Sequence, residues 1–238
     1  MRVGNWNLNH GGQHGAKWPE QSELLLRERL DLMVLTEPPP GVSLPGSSSV
    51  LSPAGADGWS WVVIVGPGVR SAGLDLPFGR MATAALATFG DLEVVVYGSV
   101  LPWRSIASQT HGILQLGESY GESFARLLHE QASDVADLQA AHPHAVVLWA
   151  GDFNQALEGT EYVGSKDQRL LLKETLDRLG MTAWNADLAR QVHDGQVYAI
   201  DLVCGPTALA NVAPEEMSGS LDERKLSDHA GYVVTLDL

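Results

Sequence analysis

The stretch AVVLWAGDFN, residues 145–154, predicts a buried strand that ends directly in polar residues. Ala145–Ala150 is an unbroken apolar run, which is typical of a strand covered on both faces. Gly151, Asp152, Phe153 and Asn154 then place a carboxylate and an amide immediately after the strand. Gly-Asp by itself is more often a simple turn. The stretch therefore indicates a functional site only if other strands also end in polar residues.

The same pattern of an apolar run next to polar side chains recurs along the chain. Its further examples are Val3–Leu8 with Asn5, Asn7 and Asn9, Leu32–Leu35 before Thr36-Glu37, Val94–Val96 before Tyr97-Gly98, Val197–Val203 with Asp201 inside it, and Ser227-Asp228-His229 before Tyr232–Leu238. Polar groups at strand ends can converge on one rim of a sheet, where ligand clefts form. Asp201, among apolar neighbours, would be buried at a high cost unless it is paired, and a histidine is a natural partner.

Strand-like and helix-like segments alternate between these points. The 3.6-residue spacing of apolar residues predicts helices at Gln21–Leu30, Glu118–Ala141 and Lys166–Leu179. Further strands are predicted at Trp59–Val65, Ala82–Phe89 and Leu92–Val100, the last two joined by a Gly90-Asp91 hairpin turn. This mixture favours an α/β sandwich with mixed sheets.

The segment Pro38–Gly58 is rich in Pro, Gly and Ser and reads as a linker or a loop. The 37 residues before it are too few for an independent core. We therefore interpret it as a long surface loop and expect one domain over residues 1–238.

Composition and charge exclude several classes of protein. A content of 45% hydrophobic residues argues against a disordered or fibrous chain. The net charge of −14, from 29 acidic and 15 basic residues, argues against a strong basic face for long nucleic acid and suits a bound divalent cation. With one cysteine, Cys204, no apolar run of 18 residues and no visible signal peptide, we expect a cytoplasmic protein without a membrane span. The oligomeric state stays open.

Taken in order, these segments resemble the endonuclease/exonuclease/phosphatase superfamily, which includes pancreatic deoxyribonuclease, apurinic endonucleases, sphingomyelinases and inositol-phosphate 5-phosphatases. The motifs that carry the resemblance are WNLN (Trp6–Asn9), LTE (Leu35–Glu37), VVVYG (Val94–Gly98), GDFN (Gly151–Asn154), AIDLV (Ala199–Val203) and SDH (Ser227–His229). Any one of them recurs by chance, but six in this order, from Val3 to His229, make a specific signal.

The resemblance implies a four-layer α/β sandwich, with two mixed β-sheets flanked by helices, that cleaves phosphate esters with a divalent metal. Glu37 is then expected to be the principal Mg²⁺ ligand, supported by Asn7, Asn9 and Asp228, with Mn²⁺ able to substitute. Independently, Mg²⁺ prefers a few protein oxygens together with water and substrate phosphate. Asn9 stands where some relatives carry aspartate, which leaves the number of bound metals open.

The resemblance also implies the catalytic residues. His229 is expected at the scissile phosphate and Asp201 as its orienting partner. Asp152 would activate water or handle the proton, and Asn154 would hold the phosphate or Asp152. Either His229 or Asp152 could be the general base. Tyr97 is expected near the phosphate, with packing in the core as the alternative.

Two segments are candidates for choosing the substrate. Residues 101–117 form a long loop in which Trp103 could stack on a base and Arg104 could meet a phosphate. His10–Gly15 is either a phosphate-contacting loop or a loop without a chemical role. The first hypothesis is a phosphodiester hydrolase, a nuclease acting on DNA or RNA. The alternatives are hydrolysis of a small phosphorylated molecule, such as a nucleotide, an inositol phosphate or a phospholipid headgroup, and a non-catalytic binding module.

Overall fold

The computed structural model describes residues 1–12, 15–55, 58–105, 113–115, 117–159, 163–192, 195–209 and 211–237. The strands are β1 (Arg2–Asn7), β2 (Leu32–Thr36), β3 (Ser48–Leu51), β4 (Val62–Gly66), β5 (Arg70–Ser71), β6 (Ala82–Phe89), β7 (Leu92–Val100), β8 (Val146–Asp152), β9 (Met181–Ala183), β10 (Ala189–Val192), β11 (Gly195–Tyr198), β12 (Asp201–Pro206), β13 (Val212–Met217), β14 (Ser220–Leu221), β15 (Arg224–Lys225) and β16 (Gly231–Leu236). The helices are α1 (Asn9–Gly12), α2 (Trp18–Arg27), α3 (Tyr120–Ala141) and α4 (Lys166–Arg178), with a 3-10 turn at Phe78–Arg80.

Two six-stranded mixed sheets form the centre of the molecule. Sheet 1 has the order β13-β16-β1-β2-β4-β3, and sheet 2 has the order β5-β6-β7-β8-β12-β9. In each sheet one central pair is parallel, β1 with β2 and β7 with β8, and the other pairs are antiparallel. The mixed sheets expected from the sequence are confirmed.

Helices cover the outer faces of both sheets. Leu24 and Leu25 of α2 pack on sheet 1 in one apolar cluster with Met33 and Leu35. Side chains of both sheets and of α3 and α4 form a second, larger cluster, so the two sheets share one core. Trp6, Trp61 and Trp149 are fully buried, as their positions in strand patterns predicted. No helix in the described ranges is both long and apolar enough to cross a bilayer.

Two predicted elements differ from the structure in kind, and the bounds of others shift by up to three residues, as for α2 at Trp18–Arg27 and β4 at Val62–Gly66. Val197–Val203 is not one strand: β11 ends at Tyr198, pairing only with β10, and β12 begins at Asp201. Asp201 therefore lies at the start of a strand instead of inside one, because residues 199–200 leave the sheet between two different pairing partners. The segment Pro38–Gly58 is not loop throughout, because β3 adds an edge strand to sheet 1.

Candidate active site

One edge of the sandwich collects the polar strand ends. β8 ends at Asp152 and β12 starts at Asp201, and these two residues are direct partners in the antiparallel register of sheet 2. In sheet 1, β1 and β2 run parallel and end side by side at Asn7 and Thr36. The segment before β16 carries His229, and β16 is antiparallel to β1. Sheet topology therefore brings five separate parts of the sequence to one place.

His229 and Asp201 form the predicted pair. The Nδ1 of His229 lies 2.7 Å from the Oδ2 of Asp201, and because a carboxylate only accepts, the ring N–H donates. The His229 side chain is 20% exposed and that of Asp201 only 3%. Burial disfavours the imidazolium, but the carboxylates of Asp201, Asp152 and Asp228 outweigh it and raise the pKa of His229 to about 10. The imidazole of His229 is thus positively charged, and its Nε2 does not contact Asp201.

Asp152 is held by amides on either side. The Nδ2 of Asn7 donates to its Oδ2 at 3.0 Å, and the backbone N–H of Asn154 donates to its Oδ1 at 2.9 Å. Burial, and then the charge of Asp201, raise the pKa of Asp152 to about 7, while His229 opposes this shift. A carboxyl group whose pKa lies near neutrality is suited to accepting and returning a proton.

Asn154 helps to hold the Asp152 carboxylate in position. Its Nδ2 donates to the carbonyl of Leu101 at 2.9 Å, and its backbone has a left-handed φ of 49°. Asparagine tolerates that conformation better than most residues. The side-chain amide, predicted to hold the phosphate or Asp152, therefore bonds to the main chain instead, and the backbone N–H of Asn154 is the group that holds Asp152.

Three of the four predicted metal-binding residues, Asn7, Asn9 and Asp228, are linked by hydrogen bonds, whereas Glu37 contacts His10. The Nδ2 of Asn9 donates to the Oδ1 of Asp228 at 2.8 Å. The Oδ1 of Asn7 accepts from the N–H of Asn9 at 2.8 Å, so Asn7 links this pair to Asp152. Glu37 follows β2 and contacts His10, with 3.3 Å between its Oε2 and the imidazole Nε2. Its charge also raises the pKa of Asp152.

The donor set fits a hard divalent cation. Side-chain atoms of Asp152, Asp201 and His229 lie within 4.8 Å of one another. The Oδ1 of Asp201 is buried and has no hydrogen-bond partner in the described part of the chain. An unpaired carboxylate oxygen among several acidic groups is a costly arrangement that a bound cation relieves. Oxygen ligands of this kind are those that Mg²⁺ and Mn²⁺ prefer.

Tyr97 is not brought to this edge. It lies three residues inside β7, whose last residue, Val100, is the partner of Asp152. A Cβ on Gly98 would point at Val62 and Val34 of sheet 1, so the preceding Tyr97 faces the opposite side. There it is fully buried and donates to the Oδ2 of Asp134 at 2.7 Å. The expected substrate contact does not fit this position, and the alternative of packing does.

The two predicted substrate residues follow Leu101, whose carbonyl accepts from Asn154, and they differ in their surroundings. Trp103 is partly buried against Trp61, with 5.7 Å between ring centroids. Arg104 is exposed and donates from Nη2 to the carbonyl of Gly164 at 2.6 Å. Residues 106–112 and 116 of the same predicted loop lie outside the described residues, as do residues 13–14 of the His10–Gly15 segment.

Two supporting residues, Ser227 and Asn5, stand among the strand-end polar residues of the sequence, but no role was predicted for them. The hydroxyl of Ser227 donates to the carbonyl of Asn7 at 2.7 Å and accepts from the N–H of His229 at 3.1 Å, which ties the histidine to β1. The buried amide of Asn5 donates to the carbonyls of Gly151 and Leu202, and so joins the two sheets behind the site. The signal for Asn5 was an amide at an inward position of an alternating strand.

Comparison with solved structures gives the same fold over nearly the whole chain. The endonuclease domain of TRAS1, a telomere-specific non-LTR retrotransposon, is 16% identical with a TM-score of 0.64, and the match covers 99% of this chain and 97% of that one. An endonuclease/exonuclease/phosphatase protein from Beutenbergia cavernae is 16% identical with a TM-score of 0.65, covering 99% of this chain and 71% of that one. Truncated Caenorhabditis elegans TDP2 is 14% identical with a TM-score of 0.60, covering 99% and 96%.

Protein-family models and curated protein sequences give no match to this chain. The similarity therefore lies in the three-dimensional arrangement, which the order of the six motifs had indicated. The chain has the fold of the endonuclease/exonuclease/phosphatase proteins.

Proposed function

We propose that this protein hydrolyses phosphodiester bonds with the help of a divalent metal ion, and that its substrate is nucleic acid. The observation that carries the proposal is the pairing of His229 with Asp201 directly beside Asp152, at an edge where Glu37 and Asp228 add further carboxylates. Phosphoryl transfer needs an oriented water molecule, neutralisation of developing charge and a proton for the leaving group. This set of side chains meets those needs.

In this proposal His229 holds the scissile phosphate. Its Nδ1 is bound to Asp201, which fixes the orientation of the ring and directs Nε2 away from that carboxylate. A protonated imidazole donates to a phosphate oxygen and balances its charge. The backbone of His229 is fixed in turn by Ser227.

We propose that Asp152 activates the attacking water molecule. Its two oxygens are oriented by Asn7 and by the Asn154 N–H, so the carboxylate cannot rotate freely. A fixed carboxylate next to the phosphate can take a proton from water and return it to the leaving group. For this reason we assign the role of general base to Asp152, with His229 as the alternative.

We propose that Glu37, Asn7, Asn9 and Asp228 hold the metal, which is Mg²⁺ with Mn²⁺ as a substitute. When bound, such an ion neutralises phosphate charge and orients the phosphoryl group. The carboxylates of Asp152 and Asp201, which lie beside the protonated His229, are the competing location, favoured by the unpaired Oδ1 of Asp201. Metal titration of Glu37→Gln and Asp201→Asn separates the two, because only the variant that loses a ligand loses affinity.

Nucleic acid is preferred as the substrate because one structural neighbour is an endonuclease domain. The net charge of −14 opposes a long nucleic-acid track, so short or single-stranded regions suit the protein better than long duplex. A cytoplasmic location and a single domain remain part of the proposal, since Cys204 is a free, buried thiol and the sheets share one core.

The deciding experiment is a substrate panel with Mg²⁺ or Mn²⁺: plasmid, single-stranded DNA, RNA, abasic duplex, nucleotides, inositol phosphates and sphingomyelin. We expect cleavage of nucleic acid, abolished by EDTA and nearly abolished in His229→Ala. Cleavage confined to small phosphorylated molecules would contradict nucleic acid as the substrate and would favour a small phosphate ester instead. Metal binding with no turnover of any compound would favour a binding module, and metal-independent cleavage would contradict the mechanism.

A further inference from the structure

A second cavity opens beside the candidate active site, between the first turns of α3 and α4. Its volume is about 430 Å³, within the range of roughly 300–1,000 Å³ that small-ligand sites occupy. Its walls are mainly apolar, from Tyr120, Ala125 and Leu171, and its polar lining includes Arg104, Asp167 and Gln168. None of the catalytic or metal-binding residues assigned above lines it.

Gln168 is the unusual residue of this cavity. Its side chain belongs to a residue that is only 6% exposed, yet neither Nε2 nor Oε1 has a hydrogen-bond partner within the described ranges. The hydroxyl of Tyr120, on the facing helix α3, is likewise buried without a hydrogen bond of normal geometry, and it lies near enough to the Gln168 amide for that amide to oppose the rise in its pKa. A buried amide with both atoms unpaired is costly and rare in folded proteins. Such an amide indicates that a ligand with both a donor and an acceptor completes the site.

The cavity is continuous with the catalytic segment. The carbonyl of Leu101, three residues before Arg104, accepts from the Nδ2 of Asn154. The Oε1 of Gln155, next to Asn154, accepts from the N–H of Ser165 on the opposite wall at 3.0 Å. Burial raises the pKa of Tyr120, the Gln168 amide and the charge of Arg104 oppose this rise, and the charge of Asp152 adds to it by the smallest amount.

The chemistry of the lining decides what kind of group fits. Asp167 places a carboxylate at the cavity, which disfavours a phosphate inside it. A neutral, planar group with a donor and an acceptor on its edge matches the apolar walls and the glutamine amide. A nucleobase has these properties, since glutamine amides pair with base edges and aromatic rings stack on bases. Arg104, held at the rim by the carbonyl of Gly164, would then face the backbone phosphate of the same nucleotide.

We propose that this cavity binds a base of the nucleic-acid substrate, in a nucleotide that flanks the scissile phosphate, with the Gln168 amide reading its hydrogen-bonding edge. The inference rests on the proposed nuclease function and adds a base preference to it. It makes Gln168 a specificity-determining residue and assigns Tyr120 to stacking.

The test measures binding separately from hydrolysis. Fluorescence anisotropy in the His229→Ala background compares labelled single-stranded homopolymers of the four bases, with and without Gln168→Leu. We expect Gln168→Leu to weaken binding of the preferred base about tenfold and to level the differences among bases. Tyr120→Ala should weaken all four. Gln139→Leu is the matched control, because Gln139 lies on α3 away from this cavity and bonds to Leu179, and it should change neither quantity.

Stability provides the second measurement, because leucine removes an unpaired buried amide. We expect the melting temperature of Gln168→Leu to be unchanged or raised while base preference is lost. An unchanged affinity and base preference in folded Gln168→Leu protein would overturn the inference. If the enzyme cleaves nucleic acid but this variant keeps its preference, the cavity assignment alone fails. If bases bind as expected but no phosphodiester is cleaved, the proposed function alone fails.

Discussion

At the scale of single residues, the Asp201 carboxylate is the largest of the causes that raise the pKa of His229, the imidazole to which we assign catalysis. Asp201 is bonded to His229 through Oδ2 and leaves Oδ1 unpaired. An asparagine at this position can accept from His229 with its carbonyl oxygen and put its amide nitrogen where the unpaired oxygen was. The substitution therefore removes the charge while keeping the shape.

Asp201→Asn is expected to lower the pKa of His229 from about 10 toward the ordinary histidine value near 6.5, because the strongest anionic partner is lost while burial remains. We expect kcat to fall by about 10²–10⁴-fold. Titration of the imidazole by NMR measures the first effect and steady-state kinetics the second. Asp187→Asn, at an exposed acid, is the control. An unchanged imidazole pKa would remove Asp201 from the mechanism.

The thiol of Cys204, in contrast to His229, is expected to be unreactive in the folded protein. It is fully buried in β12, and burial strongly raises the pKa of its thiol. Because the thiolate is the reactive form, we expect the folded protein to resist DTNB near neutral pH and to release one equivalent of product in denaturant. Rapid labelling of the folded protein would show that β12 opens readily.

At the scale of elements, the site depends on how β8 and β7 approach each other. Gly151 has φ 150°, and a Cβ built on it would lie 1.8 Å from the carbonyl oxygen of Ser99. Its own carbonyl accepts from Asn5 of the other sheet at 2.9 Å. The glycine thus lets two strands and a bridging amide meet directly next to Asp152.

Gly151→Ala is expected to lower the free energy of unfolding by about 3 kcal/mol or more, because the methyl group collides with backbone that cannot move independently. Urea denaturation followed by circular dichroism measures this. Gly121→Ala is the matched control: it lies in α3 with no atom within 4 Å of the added methyl, and it should stabilise by about 0.5–1 kcal/mol. Equal stabilities of the two variants would contradict the close approach seen at Gly151.

At the scale of the whole molecule, part of the negative charge is concentrated in one place. Glu37, Asp152, Asp201 and Asp228 meet at one edge of the sandwich, and their mutual repulsion opposes folding. The two histidines that contact them offset part of this repulsion. A divalent cation at this edge would add further stability.

Mg²⁺ or Mn²⁺ is expected to raise the melting temperature, since a ligand at 100 times its Kd that binds only the folded state contributes about 2.7 kcal/mol. Differential scanning fluorimetry with a metal titration measures the shift. Glu37→Gln should lose most of it, whereas Glu23→Gln, on the exposed face of α2, should keep it. A shift of equal size in both variants would remove Glu37 from the metal shell.

Much of the architecture was predictable because it depends on neighbouring residues. The hairpin of β6 and β7 has the predicted bounds, since Gly90-Asp91 is a strong local turn signal between two apolar runs. The buried strand before Asp152 and the long helix up to Ala141 follow from periodicity in the same way. The buried acid Asp201 indicated a histidine partner, and the family resemblance identified that partner as His229.

The sequence by itself determined which chemical groups this protein brings to a strand end, because strand ends and turns are decided within a few residues. Only the tertiary structure decided which groups meet there. Tyr97 faces α3 because of strand alternation against sheet 1, Asp201 opens β12 because its neighbours pair elsewhere, and Gln168 lines a cavity made by two helices distant in sequence. These outcomes depend on the packing of one sheet against the other and of helices on both, which short-range sequence patterns do not encode.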